Sequence, residues 1–117
     1  MLRRIDRVML KVDNLATATG FYASEFGLVP VWREEHAVGL GLPEGDAQVV
    51  LHTMDLPPGR HVYFLVDDVV AAVADAEREG CAVLIPPFDV ATGICAVIVD
   101  PFGNDLGLID MTKGPRA

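Results

Sequence analysis

An imidazole can donate or accept a hydrogen bond, or move a proton, close to neutral pH. His61 is placed to do so, at the start of an apolar run in which it shares parity with Tyr63 and Leu65. The run around Arg7 has the same pattern, so by that symmetry Arg7 faces the same space as His61. A guanidinium stays charged and only donates, so a buried arginine requires an anionic partner. That partner is a ligand carboxylate or phosphate, or an internal acid such as Asp105. Gln48 adds a neutral carbonyl oxygen and shares one strand face with Val50 and His52. Trp32 offers a flat surface for stacking a ligand. These groups suit the binding of a polar or anionic small molecule, with His61 as the acid or base if a reaction takes place. Structural roles compete with this reading. His61 can be satisfied by neighbouring groups, and Trp32 can fill a core or a dimer contact. Nucleophile chemistry finds no support. There is no G-x-S-x-G, no C-x-x-C and no phosphate-cradling glycine loop, and Ser24 is the only serine.

The elements that must position these residues follow from apolar periodicity. Residues 5–12 predict a strand in which Val8, Leu10 and Val12 alternate with Arg7, Met9 and Lys11. Asp13 and Asn14 suit a helix N-cap, and Leu15, Ala18, Tyr22 and Phe26 recur at helical spacing up to Gly27. Phe21, Tyr22 and Phe26 are expected in a core or an interface. Strands are expected at 28–33, 38–42 and 47–53, followed by a connector at 55–60 carrying Pro57, Pro58 and Gly59. The second half repeats the order. It has a strand at 61–66, a helix at 69–79 capped by Asp67 and Asp68, and a strand at 82–85 broken by Pro86 and Pro87. A strand at 94–99 and a last strand at 105–110 follow. Asp100-Pro101-Phe102-Gly103-Asn104 makes the turn between those two, with Gly103 and Asn104 tolerating positive φ. His36 and His52 are expected at the surface, with a displaced metal site using one of them as the competing reading.

The halves align at an offset of 54 over the first strand and helix, pairing Arg7 with His61. The last strands align at 59, which lays Gln48 over Gly107. This predicts an α+β fold of two βαβββ modules in one domain over residues 1–117. Module one is 1–54, module two is 61–112, and 113–117 is a tail. The concave faces of the two sheets would enclose a ligand cavity. Open sheet edges predict a homodimer.

Composition narrows the classes further. A chain of 117 residues, half of them apolar, can bury one core. The net charge of −8 argues against nucleic acid, whose phosphates need basic patches, and is compatible with a cationic ligand at Glu34, Glu35 and Asp46. No apolar run approaches the ~18 residues of a membrane span, and no signal peptide is read at the N-terminus. Cys81 and Cys95 are too few for a disulfide framework and are expected reduced in strands, in a cytoplasmic setting.

At this point the sequence resembles the glyoxalase, bleomycin-resistance and ring-cleaving dioxygenase group, the vicinal oxygen chelate superfamily. The resemblance covers roughly residues 5 to 110. It rests on Ile5-Asp6-Arg7-Val8, on Gly20-Phe21-Tyr22 through Phe26-Gly27-Leu28, on His61 through Asp67-Asp68-Val69, and on Asp100 through Asn104. It implies a divalent metal held by a first-strand His and a last-strand Glu of each module. Carried over, those positions are Arg7, Gln48, His61 and Gly107. Arginine cannot ligate a metal, the glutamine is a weak neutral donor, and glycine has no side chain. The resemblance therefore points to the branch that binds a drug or metabolite without a metal or other cofactor, with Arg7, Gln48, His61 and Trp32 lining the pocket. Arg7 would then stand in for the metal cation toward an anionic or enediolate-like ligand. A lyase- or dioxygenase-type enzyme with an altered site, and a dimerisation or interaction domain without catalysis, are the competing expectations.

Overall fold

The computed structural model describes residues 1–56 and 60–115, and only the backbone of Arg60. Connector residues 57–59 and tail residues 116 and 117 lie outside the described residues. The elements run β1 (Arg4–Lys11), α1 (Leu15–Phe26), β2 (Val29–Arg33), β3 (Ala37–Gly41), β4 (Gln48–His52), β5 (Arg60–Leu65), α2 (Val69–Arg78), β6 (Ala82–Val90), β7 (Gly93–Val99) and β8 (Asp105–Ile109). This is βαβββ written twice, an α+β fold. The chain forms two compact units: Asp6–His61, and Met1–Ile5 together with Val62–Ala117.

In the unit Asp6–His61 the strands lie in the order β2-β3-β4-β1. The pairs β2/β3 and β3/β4 are antiparallel, and β1/β4 is parallel. Side chains alternate between the two faces of a strand, so each face can be read from the register. On one face Val38, Leu40 and Leu51 are fully buried and pack with Leu28, Leu15, Ala18 and Tyr22. Burying each large aliphatic side chain contributes about 1.5–3 kcal/mol, which fixes α1 on this side. Asn14 starts the helix by accepting from the Thr17 N–H at 3.0 Å, and Gly27 ends it at φ +70°. The opposite face carries Arg7, Met9 and Lys11 on β1, Gln48, Val50 and His52 on β4, and Ala37, Gly39 and Gly41 on β3.

In the second unit the order is β5-β8-β7-β6, with β5/β8 parallel and the other pairs antiparallel. Val69 and Val73 of α2 pack against Val66, Ala96, Ile98 and Leu108. Asp68 caps α2 by accepting from the Ala71 N–H at 3.0 Å. Asp110, 1 % exposed, gathers four donors. They are the N–H groups of Val69 (2.7 Å), Ile94 (2.9 Å) and Thr112 (3.2 Å), and the Thr112 hydroxyl (2.8 Å). Burial pushes its carboxyl upward, but these donors together outweigh it and hold its pKa below the ordinary value.

Two expectations are corrected, on the prolines of β6 and on Cys81. Pro86 and Pro87 do not break a strand: β6 continues through them, with register shifts between Val83 and Ile85 and between Ile85 and Phe88. An outer strand tolerates proline at such irregularities, because the missing N–H is not required there. Cys81 precedes β6 and is half-buried, whereas Cys95 is buried in β7; neither forms a disulfide. Phe21 and Phe26, expected in a core or an interface, are 54 % and 59 % exposed and stack edge-to-face with each other and with Tyr22, so the core alternative falls and the interface alternative stands. In the turn at residues 100–104 only Gly103 takes positive φ, and Asp100 fixes the loop by accepting from the Phe102 and Asn104 N–H groups. Among the described residues no helix is long and apolar enough to cross a membrane.

Candidate functional site

The parallel register of β1 and β4 sets Arg7 beside Gln48. The register of β2 against β3 shifts between Pro30 and Trp32, which brings Trp32 opposite Gly39. Gly39 has no side chain, and the indole lies in the space that a Cβ there would occupy. So placed, the Trp32 Nε1–H donates to Gln48 Oε1 at 2.7 Å. The Arg7 guanidinium carbon lies 5.8 Å from the centroid of the Trp32 ring, within cation–π range. Arg7 Nε donates to Asp6 Oδ2 at 2.8 Å, and both side chains are only 10 % exposed. The internal acid that a buried arginine requires is therefore its own chain neighbour. Nε is committed to that pair, and the terminal nitrogens of the fork carry the remaining donors.

Three of the four residues expected to bind a ligand, Arg7, Gln48 and Trp32, are thus brought together. His61 is buried at 6 % exposure. His52, expected at the surface, is instead fully buried, on the face that also carries Arg7 and Gln48. Its Nδ1 accepts from the Met54 N–H at 3.2 Å, which leaves the proton of the neutral ring on Nε2. Nε2 has no hydrogen-bond partner among the described residues. Burial, then the charges of Lys11 and His61, push the His52 pKa below the ordinary imidazole value. Parity with Gln48 was the available signal for His52. Nothing in the sequence marked Asp6 as the partner of Arg7.

The registers also correct the repeat. Arg7 pairs with Gln48 and Met9 with Val50, while Tyr63 pairs with Gly107. Met9 corresponds to Tyr63 at the offset of 54, so Val50 corresponds to Gly107, and the last strands align at 57 rather than 59. The error arose because a shift of two preserves side-chain parity and leaves the apolar pattern unchanged. Val50, not Gln48, is therefore the first-half counterpart of Gly107.

The metal implied by the resemblance can be tested against these positions. Arg7 brings a positive charge to the place of a ligand, and Val50 is an aliphatic group. Gln48 Oε1 already accepts from Trp32. At Gly107 the ring of Tyr63 fills the side-chain space, with its Cγ 2.6 Å from where a Cβ would stand. Among the described residues no group of three or more His, Cys, Asp or Glu could hold a metal ion. The residues do not fit the metal. Addition of Zn, Ni, Mn or Fe(II) is expected to give no concentration-dependent rise in Tm, because only an ion that binds the native state stabilises it. A saturable rise, or stoichiometric metal by elemental analysis, would overturn this.

Comparison with known proteins agrees with the geometry at the level of fold and family. A variant of the methylmalonyl-CoA epimerase of Streptomyces coelicolor, solved in complex with 2-nitronate-propionyl-CoA, matches at 21% identity and TM-score 0.76, covering 94% of this chain and 98% of that one. A methylmalonyl-CoA epimerase in complex with methylmalonyl-CoA and NH4+ matches at 20% identity and TM-score 0.78, covering 100% of both chains. The methylmalonyl-CoA epimerase of Mycobacterium tuberculosis matches at 18% identity and TM-score 0.77, covering 93% of this chain and 88% of that one. At these identities the likeness is one of fold. No curated protein sequence matches the chain. The sequence profile of the Glyoxalase/Bleomycin resistance protein/Dioxygenase superfamily matches residues 4–108, and the chain belongs to that superfamily.

Proposed function

We propose that the protein binds a small molecule, a drug or metabolite, without a metal, and holds an anionic oxygen group of that ligand on Arg7. The observation that carries this reading is the buried Arg7, paired with Asp6 through Nε, with its terminal nitrogens beside the Trp32–Gln48 pair. A metal centre in this family supplies positive charge to substrate oxygens; here a fixed guanidinium supplies it, and the indole adds an apolar wall. The reading includes a homodimer, for which exposed Phe21, Phe26, Val29 and Val31 offer apolar surface, and a cytoplasmic setting in which the thiols stay reduced. Calorimetric titration with a panel of small carboxylates, phosphates and cationic drugs tests it. An anion is expected to bind, and Arg7→Met, which keeps the stem against Trp32, is expected to weaken it ten- to a hundredfold, as loss of a charged hydrogen bond of about 1.5–3 kcal/mol requires. If only cations bind, or if the variant binds every ligand as the parent does, the reading is wrong.

A second reading, proton-transfer catalysis, is favoured by one observation: two buried imidazoles, His52 and His61, that feel each other electrostatically. The methylmalonyl-CoA epimerases of like fold give it a chemical direction, since inverting a carbon centre beside a carbonyl requires removal and return of a proton. His61 would be the acid or base and Arg7 the electrostatic partner. Exchange of such a proton in D2O, lost in His61→Ala, distinguishes this from simple binding.

A further inference from the structure

His52 presents a buried donor that the chain itself does not use. Its ring is fixed by the Met54 N–H at Nδ1, so Nε2–H points away from that backbone, on the face that carries Arg7 and Gln48. A buried donor left without an acceptor costs about 1–3 kcal/mol, and such groups in native proteins call for an explanation. The neighbours of His52 indicate what would complete it. Lys11 is its register partner on β1 and lies exposed, its ammonium donating to the Leu56 carbonyl at 3.4 Å. Ala37, its partner on β3, is small and offers the ring no polar side chain. One end of this face therefore carries Arg7, and the other carries an imidazole N–H next to a cation.

We propose that His52 Nε2–H and Lys11 form a second anion subsite, so that the ligand is a dicarboxylate lying along β4 between Arg7 and His52. Gln48 and His52 are four residues apart, about 13 Å at ~3.3 Å per residue. The length of the Arg7 side chain shortens the gap that the ligand must span. The net charge of −8 does not oppose this at close range, because solvent screens exposed charges beyond about 8 Å at physiological salt. The proposal rests on the anion-binding reading of Arg7 and adds the length and second charge of the ligand.

Calorimetry on the full chain with succinate, glutarate, adipate, pimelate and suberate, each against the monocarboxylate of the same length, tests it. At the best length the dicarboxylate is expected to bind about tenfold more tightly than its partner, the gain of one charge-assisted hydrogen bond. His52→Phe is expected to abolish that preference while monocarboxylate binding survives. His52→Gln, which returns an N–H near the position of Nε2, is expected to restore part of it. Lys11→Met, at an exposed position that folding tolerates, is expected to reduce the preference even if His52→Phe is unstable. If monocarboxylates bind through Arg7 but dicarboxylates gain nothing, or gain equally in the His52 and Lys11 variants, the second subsite is refuted and the Arg7 reading stands. If no carboxylate binds the parent chain but inorganic phosphate does, the second subsite is refuted and the Arg7 reading stands; if neither binds, both fall.

Discussion

Replacing Asp110 with alanine is expected to remove about 4 kcal/mol of stability, seen as a large fall in the urea midpoint at unchanged slope. The carboxylate accepts from three backbone N–H groups and one hydroxyl while 1 % exposed. Truncation strands those donors. The Val69 N–H opens α2, the Ile94 N–H belongs to β7, and Thr112 follows β8, so one side chain joins three parts of the unit. Against the 5–15 kcal/mol by which such domains are stable, the loss leaves little. Asp110→Asn should cost less, since one oxygen still accepts, and Gly93→Ala should act in the same direction because its Cβ would overlap the carboxylate. The pH dependence has a fixed sign. The folded pKa of Asp110 lies below the unfolded one, so its contribution is complete above about pH 4 and is lost as pH falls through the folded value. The folded pKa of His52 is also lowered, so stability begins to fall earlier, below about pH 6.5, as the unfolded chain takes up a proton that the native ring resists. Melts across this range should show both stages in the parent chain. Asp110→Asn should lose only the lower stage, and His52→Phe only the upper one.

Gly39→Ala is expected to expel Trp32 from its seat, at a cost of about 1–3 kcal/mol for overpacking and with loss of the Gln48 bond. Trp32 is the only tryptophan in the chain, so its fluorescence reports the change directly. The emission should move to longer wavelength as the indole reaches water, and ligand binding should weaken along with that of Arg7→Met. Trp32→Phe in the Gly39→Ala background separates the two effects. The smaller ring relieves the clash and restores stability, but it has no N–H for Gln48, so the amide oxygen stays unpaired. If Gly39→Ala leaves emission and stability unchanged, the described seat of Trp32 is incorrect.

The fold was legible because apolar spacing and turn residues in both halves point to the same elements. The α1 bounds of 15–26 follow from Asn14, the i+3 and i+4 pattern and Gly27, all local signals. Arg7 and Gln48 were placed at one site by the repeat and by the resemblance, and the parallel register of β1 and β4 sets them on one face. What parity cannot give is register: a two-residue slip keeps every apolar side chain inward, which is how Gln48 comes to lie over Gly107 when Val50 belongs there. Nor can it give burial by neighbours. A histidine at a strand end reads as exposed, yet His52 is enclosed and fixed by a backbone N–H two residues on. The seating of Trp32 depends on a register shift and on a glycine from another strand, neither of which local sequence pairs with it.

The double proline of β6 has a consequence for behaviour at high concentration. A strand at the outer side of a sheet displays a row of amide and carbonyl groups to which a foreign strand can add, and chain after chain can then polymerise. β6 is nine residues long and pairs with β7 on one side. Pro86 and Pro87, both exposed at its centre, carry no amide hydrogen, and the register shift between Ile85 and Phe88 breaks the regular spacing of that row. An incoming strand would find no continuous ladder to extend, so the longest strand of the fold is guarded against fibril growth at the point where an unbroken strand would invite it.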